Sequence, residues 1–302
     1  ALFVDNWLRD EYPNSKARTL QEARASIDKV IKYFPTLADL TIRNRQRWLK
    51  VETRAKKTVQ KHMGFVRSYY QWLKANQHVG ASEVNPFHLD DIQWPKRLAE
   101  KQSYLPFNVA DVVRLRQAAA DNGDELLVRF INIAQWTGMR LAEVAQISAD
   151  SIVILEGVEC LKVKEDAKTE KSRNRLVPIA KTLAARVLLT KLAPPPPPTV
   201  SKRTGKFVQY EGQEVGKRFG RLKAKLGYGD RHVFHSIRKT ATTVFEQAGV
   251  VEGVTADIMG HEKQTMTYGL YSGGTSVHQR QKAVTAFEEL MVQKEAEATL
   301  SF

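Results

Sequence analysis

Cysteine is almost missing from this chain: Cys160 is the only one in 302 residues. No internal disulfide can form, and no Cys/His cluster has metal-ligand spacing, so neither a disulfide framework nor a zinc module organises the fold. Cys160 stands among Val158, Leu161 and Val163 and reads as a small buried hydrophobe, as expected in a reducing cytosol. Long apolar runs are also missing. Nothing approaches the roughly 20 residues needed to cross a bilayer, and no lipidation motif closes the chain, so a soluble protein with no membrane partner is expected. There is no G-x-x-x-x-G-K-[ST] phosphate loop and no visible signal peptide, and the opening on Ala1 rather than Met suggests trimming. Acid is scarce relative to base: 33 Asp and Glu face 47 Lys and Arg, a formal charge of +14. That surplus calls for a polyanionic partner, with nucleic acid the leading choice.

The length exceeds a typical single domain, so two units are expected. Residues 1–95 read as helical. Leu20, Ala23, Ile27, Val30 and Ile31 form one apolar stripe, and Val59, Met63, Val66, Tyr70 and Leu73 form another. Between residues 41 and 74, ten bases meet a single acid, Glu52. Like charges that crowd a helix face fit a duplex backbone, whose phosphates they would neutralise. Arg43, Arg45, Arg47, Lys50, Lys57 and Lys61 are the DNA-binding candidates. Residues 96–105, irregular and flanked by Pro95 and Pro106, read as a linker, with the second domain at 106–302.

In that domain Leu126, Leu127, Phe130, Ile131 and Ile133 predict a central core helix, interrupted at Gly138 before a new helix from Leu141 to Ile147. Ile152–Ile154, Val158–Val163 and Leu176–Ile179 predict a three-stranded antiparallel meander. Leu183–Leu192 should be helical. Pro194 to Pro198 impose a stiff surface spacer, and Glu211–Leu226 forms a basic helix with Val215, Phe219 and Leu222 inward. A final helix, Val277–Val292, with the tail to Phe302, is suited to docking on a neighbouring protomer, with packing on its own domain the alternative. The fold class is mainly α with a small antiparallel sheet.

The polar residues of one stretch are oddly placed. His235 and Arg238, three apart, share a face of a first helical turn, where the positive dipole end attracts an anion. Downstream come Gly260-His261 and then Tyr268 and Tyr271. Upstream, Arg140 opens a helix beside a core element and has Glu143 three residues on to orient it. H-x-x-R, Gly-His and a following tyrosine, together with T-G-M-R-L-A-E, resemble the signatures of the tyrosine recombinases, the integrases of phages and mobile elements. In that family a hairpin between the second and third strands delivers a catalytic lysine, and A-K-T followed by R-L-V-P-I resembles that pattern with Lys168 in the position; Lys164 and Lys171 are nearby.

The resemblance implies a helical core-binding domain followed by an integrase-type catalytic domain. It also implies site-specific cutting and rejoining of double-stranded DNA through a 3′-phosphotyrosyl link. Arg140 and Arg238 would grip the scissile phosphate, and His261 would bond a developing oxyanion. Tyr271 would attack phosphorus while His235 manages its proton, and Lys168 would protonate the leaving 5′-oxygen. Neither metal, cofactor nor ATP is implied. Tyr268 is a rival nucleophile, seven residues after His261 where Tyr271 is ten; Tyr-Ser after Thr-Met favours Tyr271. Four protomers on two DNA sites, accessory DNA-bending or directionality proteins, and a place in the cytoplasm beside the nucleoid are further expectations. A type IB topoisomerase and a catalytically dead DNA-binding protein remain alternatives.

Overall fold

The computed structural model describes residues 3–15, 17–80, 82–88, 92–98, 103–163, 175–193, 199–200, 207–208, 212–261 and 274–300. The chain divides into two compact units, Ala1–Gln102 and Ser103–Phe302, each with its own apolar core.

The first unit is built from helices α1 (Val4–Glu11), α2 (Ala17–Ile31), α3 (Ile42–Val51) and α4 (Lys56–Ala75). Ala23, Ile27 and Val30 of α2 pack at 3–4 residue spacing against the buried stripe of α4, Val59, Met63, Val66, Tyr70 and Leu73. Trp7 of α1 is fully buried, and its indole N–H donates to Ser68 Oγ at 3.3 Å. Thr41 caps α3, its hydroxyl accepting the Asn44 backbone N–H at 3.2 Å.

The second unit opens with α5 (Val109–Asp121), closed by a reciprocal cap: Asn108 Oδ1 accepts the Asp111 N–H at 2.6 Å, and Asp111 Oδ2 accepts the Asn108 N–H at 3.1 Å. Helix α6 (Glu125–Thr137) is buried on nearly every face from Phe130 to Thr137, as a helix enclosed by others must be. It contacts α5, the short α7 (Leu141–Val144), α8 (Lys181–Arg186), α9 (Gln213–Lys225) and α10 (His235–Gln247). Strands β1 (Ile152–Leu155), β2 (Val158–Lys162) and β3 (Leu176–Pro178) form the antiparallel sheet in that order. The β1/β2 turn is Glu156-Gly157, with φ of 50° and 78°, the two-residue left-handed turn that matches the twist of a tight hairpin.

One expectation needs correction, one hairpin is new, and one helix takes the second of its two foreseen packings. The helix foreseen over Leu183–Leu192 breaks after Arg186, and a 3₁₀ turn, Leu189–Lys191, follows. Val187 and Leu189 are both buried while Leu188 between them is exposed, an alternation that extended backbone satisfies and a helix does not. A small hairpin, β4 (Thr199–Val200) with β5 (Phe207–Val208), follows the prolines where no strand was foreseen. The last helix, α12 (Val277–Thr299), packs on its own unit, against α5, α10, α11 (Glu252–Met259) and β3. Its Phe287 stacks on Phe245 at 4.1 Å and meets Trp136 edge-on. Its buried Glu295 accepts hydrogen bonds from Arg116 (2.7 Å), Gln135 (2.9 Å) and Arg186 (2.6 Å). Donors from three helices make that carboxylate tolerable in the interior and fix α12 in place. Among the described residues no helix is long and apolar enough to cross a membrane.

Candidate active site

The site forms where four helices end or begin. Helix α6 stops at Gly138, whose φ of 63° puts it in the left-handed region and turns the chain sharply. Arg140 follows in an extended conformation as the N-cap of α7. Its backbone N–H donates to Glu143 Oε2 at 2.8 Å, and its guanidinium Nη1 donates to Glu143 Oε1 at 2.8 Å, so one carboxylate fixes both ends of the residue. About a third of the Arg140 side chain stays exposed.

Arg238, on the first turn of α10, is buried. Its Nη1 donates to the Gly138 carbonyl at 2.7 Å and its Nη2 to the Met259 carbonyl at 2.6 Å, tying the end of α6 to the end of α11. Helix α11 terminates at Gly260, φ 69°, and the His261 N–H returns to the Ala256 carbonyl at 2.9 Å, closing the helix and holding His261 just beyond it. His235 opens α10 itself. A third guanidinium joins from the residue just ahead of β3: buried Arg175 donates to Glu143 Oε1 (3.1 Å) and Oε2 (2.6 Å), and its Nε donates to the Ile258 carbonyl at 3.0 Å.

The guanidiniums of Arg140 and Arg175 thus hold one carboxylate and that of Arg238 feels it electrostatically, leaving a surplus of positive charge. Burial alone would raise the Glu143 pKa. The hydrogen bonds and charge of Arg175, together with the donors of Arg140, overcome it and hold the carboxyl down at about 2. Burial, then Arg140 and Arg175, press the Arg238 pKa downward. His261 is lowered to about 4 by its surroundings and then by Arg238, Arg140 and Arg175. His235 is lowered in the same way, by desolvation and then by Arg238, Arg140 and Lys239. Both imidazoles are therefore neutral at neutral pH, each with one N–H to give and one nitrogen to accept. Burial is the larger cause of the lowered His and Arg238 values; the part due to neighbouring guanidiniums disfavours additional cations. An anion would relieve that part, and planar donors beside neutral imidazoles suit a tetrahedral phosphate. Among the described residues no group of three or more His, Cys, Asp or Glu could hold a metal ion.

Of the residues foreseen from sequence, Arg140, His235, Arg238 and His261 come together here, coupled electrostatically across 121 positions of the chain. Lys168, Tyr271 and the rival Tyr268 lie outside the described residues. In the first unit Arg43, Arg47, Lys50 and Lys57 are exposed, and so is Lys61, which pairs with Glu22. Arg45 does not belong with them. It is 1% exposed, on the inward face of α3 with Trp48 and Leu49, and its Nη1 donates to the carbonyls of Pro86 (2.6 Å) and His88 (3.3 Å). A run of bases counted along the chain does not show which of them point inward, and Arg45 shares the 3–4 spacing of the buried face. Arg175 escaped notice. The one signal it gave was a base directly ahead of the apolar strand Leu176-Val177-Pro178.

A family model described as the phage integrase family matches residues 107–275, more than half of the chain. No curated protein sequence matches. Among solved structures, the chain is similar to a lambda integrase tetramer bound to a Holliday junction, at 12% identity, covering 91% of this chain and 79% of that one, with a TM-score of 0.63. It is likewise similar to the Tn1549 transposon integrase in complex with circular intermediate DNA, at 18% identity, 93% and 97% coverage and a TM-score of 0.63. XerH site-specific recombinase bound to a palindromic difH substrate matches at 13% identity, 94% and 80% coverage and a TM-score of 0.59. At such identities these likenesses establish the shared fold.

Proposed function

The chain belongs to the phage integrase family and is a site-specific recombinase of the tyrosine type, and from that premise we propose that it breaks and rejoins duplex DNA at a phosphodiester held by Arg140, Arg238, His235 and His261. One observation carries the assignment: two guanidiniums and two imidazoles, brought by the helix ends at Arg140, His235 to Arg238 and His261, lie within electrostatic reach of one another.

The proposed chemistry is direct. The Tyr271 oxygen attacks phosphorus and gives up its proton to His235. The bond from phosphorus to the 5′-oxygen breaks, and Lys168 protonates that oxygen as it leaves. Arg140 and Arg238 bind the non-bridging oxygens, and the neutral His261 donates a hydrogen bond that strengthens as charge develops. The 3′-phosphotyrosyl ester retains the energy of the broken bond, so an incoming 5′-hydroxyl can reverse the steps without ATP.

In this reading residues 1–95 form a core-type DNA-binding domain, 96–105 a linker and 106–302 the catalytic domain. Arg43, Arg47, Lys50, Lys57 and Lys61 supply phosphate contacts. The DNA-bound structures of similar fold support a duplex partner, and the lambda tetramer supports four protomers on paired sites. Accessory DNA-bending or directionality proteins and a nucleoid location complete the proposal.

A duplex nicked close to the cleavage position tests it, because loss of the short fragment traps the covalent adduct. The wild-type chain and Tyr268→Phe should both give a protein–DNA adduct on a denaturing gel, and Tyr271→Phe should bind the duplex and give none. An adduct in Tyr271→Phe overturns the choice of nucleophile. No adduct in the wild type, on DNA that it binds tightly, overturns the enzymatic reading.

A further inference from the structure

We infer that Arg175 is a positioning residue for strand transfer: by occupying Glu143 with a two-pronged pair, it keeps the Arg140 guanidinium available to the phosphate and fixes the segments on either side of it. The inference rests on the reading of Arg140 as a phosphate ligand.

The hydrogen bonds around Glu143 carry it. Oε1 accepts from Arg175 Nη1 at 3.1 Å and from Arg140 Nη1 at 2.8 Å; Oε2 accepts from Arg175 Nη2 at 2.6 Å and from the Arg140 backbone N–H at 2.8 Å. Arg175 therefore holds the carboxylate with both prongs, and Arg140 commits one guanidinium nitrogen to it. A buried carboxylate requires compensation. Without Arg175, the nearest group able to provide it is Arg140, which would turn its fork onto Glu143 and commit its donors to the carboxylate instead of offering them to an anion.

The same side chain reaches further. Its Nε holds the Ile258 carbonyl at 3.0 Å, one residue before the Met259 carbonyl that anchors Arg238 and three before His261. Its own carbonyl accepts the Val163 N–H at 3.0 Å, which places Arg175 at the base of the β2–β3 connection that includes Lys168. One residue thus sets the register of the Arg140, Arg238 and His261 segments and of the strand pair from which the Lys168 segment departs. Stability alone does not account for it, because an apolar pair of similar volume commonly stabilises as well as a buried ion pair.

The test is single-turnover cleavage of the nicked duplex at saturating DNA, per folded molecule, with DNA affinity measured alongside. Arg175→Met should slow cleavage about 100-fold, the usual effect of misplacing a reacting group by roughly 1 Å, while affinity changes only a few fold. Arg175→Met combined with Glu143→Gln should recover at least about tenfold of that loss, because no carboxylate remains to recruit Arg140. Arg175→Lys, which keeps the charge and loses the fork, should still be slowed about tenfold, and it carries the test if Arg175→Met does not fold. Wild-type cleavage by folded Arg175→Lys or Arg175→Met, or no recovery in the double variant, overturns the inference. Arg140→Ala separates the two levels. If it cleaves normally, the phosphate-site reading fails; if it is inactive while the Arg175 variants cleave normally, only the positioning role fails.

Discussion

Replacing Gly138 by alanine perturbs the pocket without touching a charged side chain. Two costs can be worked from the structure. At φ 63° an L-residue sits in the left-handed region, at about 1–2 kcal/mol. In addition, a methyl built on Gly138 would overlap the thioether of Met259, which is itself fully buried, so the core must shift, at about 1–3 kcal/mol. The sum is about 2–5 kcal/mol. Gly123 provides the control. Its φ is 67°, yet a methyl there meets nothing within 4 Å, so Gly123→Ala should lose only the backbone part. Urea unfolding of both variants, with equal slopes, isolates the steric part as the difference in midpoint. The activity consequence follows from Arg238, whose two anchors are the carbonyls of Gly138 and of Met259. Displacing both should slow DNA cleavage about 100-fold in Gly138→Ala and leave Gly123→Ala near wild type. If the two variants unfold within about 0.5 kcal/mol of each other and cleave alike, the close packing of Gly138 on Met259 does not matter and the reasoning fails.

Glu143 titrates at about 2 in the folded chain, below its usual 4.5, so it contributes stability that is complete above the usual value and is lost as pH falls from about 5 towards 2. Glu143→Gln should be less stable at pH 7 yet lack that slope in pH-dependent melting; a retained slope would place its origin elsewhere. The His261 imidazole should titrate near 4 by NMR in the free protein and at higher pH once bound DNA phosphate offsets the neighbouring arginines, whereas a free-state midpoint near 6.5 would contradict the pocket's electrostatics. Arg45→Met should lower the stability of the first unit by about 2–3 kcal/mol and leave the salt dependence of DNA binding unchanged. Arg47→Ala should do the reverse, reducing the slope of log K against log salt by about one; equal salt slopes in the two variants would refute the division.

Much of this was readable along the chain because it depends on local period and spacing. Val59, Met63, Val66, Tyr70 and Leu73 repeat at 3–4 residues, and all five are buried on α4. Ile152–Ile154 and Val158–Val163 marked the β1/β2 pair by their β-branched residues, although the turn between them places the non-glycine Glu156 at φ 50°. His235 with Arg238, and Arg140 with Glu143, are close enough in sequence for a single helical turn to bring each pair together. What period alone does not encode is the element that each face meets. The apolar stripe of α12 was plain, yet its partners Phe245 and Trp136 lie some 40 and 150 residues upstream, and nothing along the helix distinguishes them from a neighbouring protomer. Arg45 was misread for the same reason: a cation on an inward face looks like its outward neighbours until the carbonyls of Pro86 and His88 are seen beside it.

The sequence by itself determined the helical class, the three-strand meander, the basic character and the short motifs that point to phosphate chemistry, because each depends on interactions within a few residues. Tertiary structure alone decided that Arg175 reaches Glu143 across 32 positions and Ile258 across 83, and that Arg238 hangs on two carbonyls from different helices. Charge compensation in a buried pocket is settled by proximity in space, and the chain records that proximity only once it has folded.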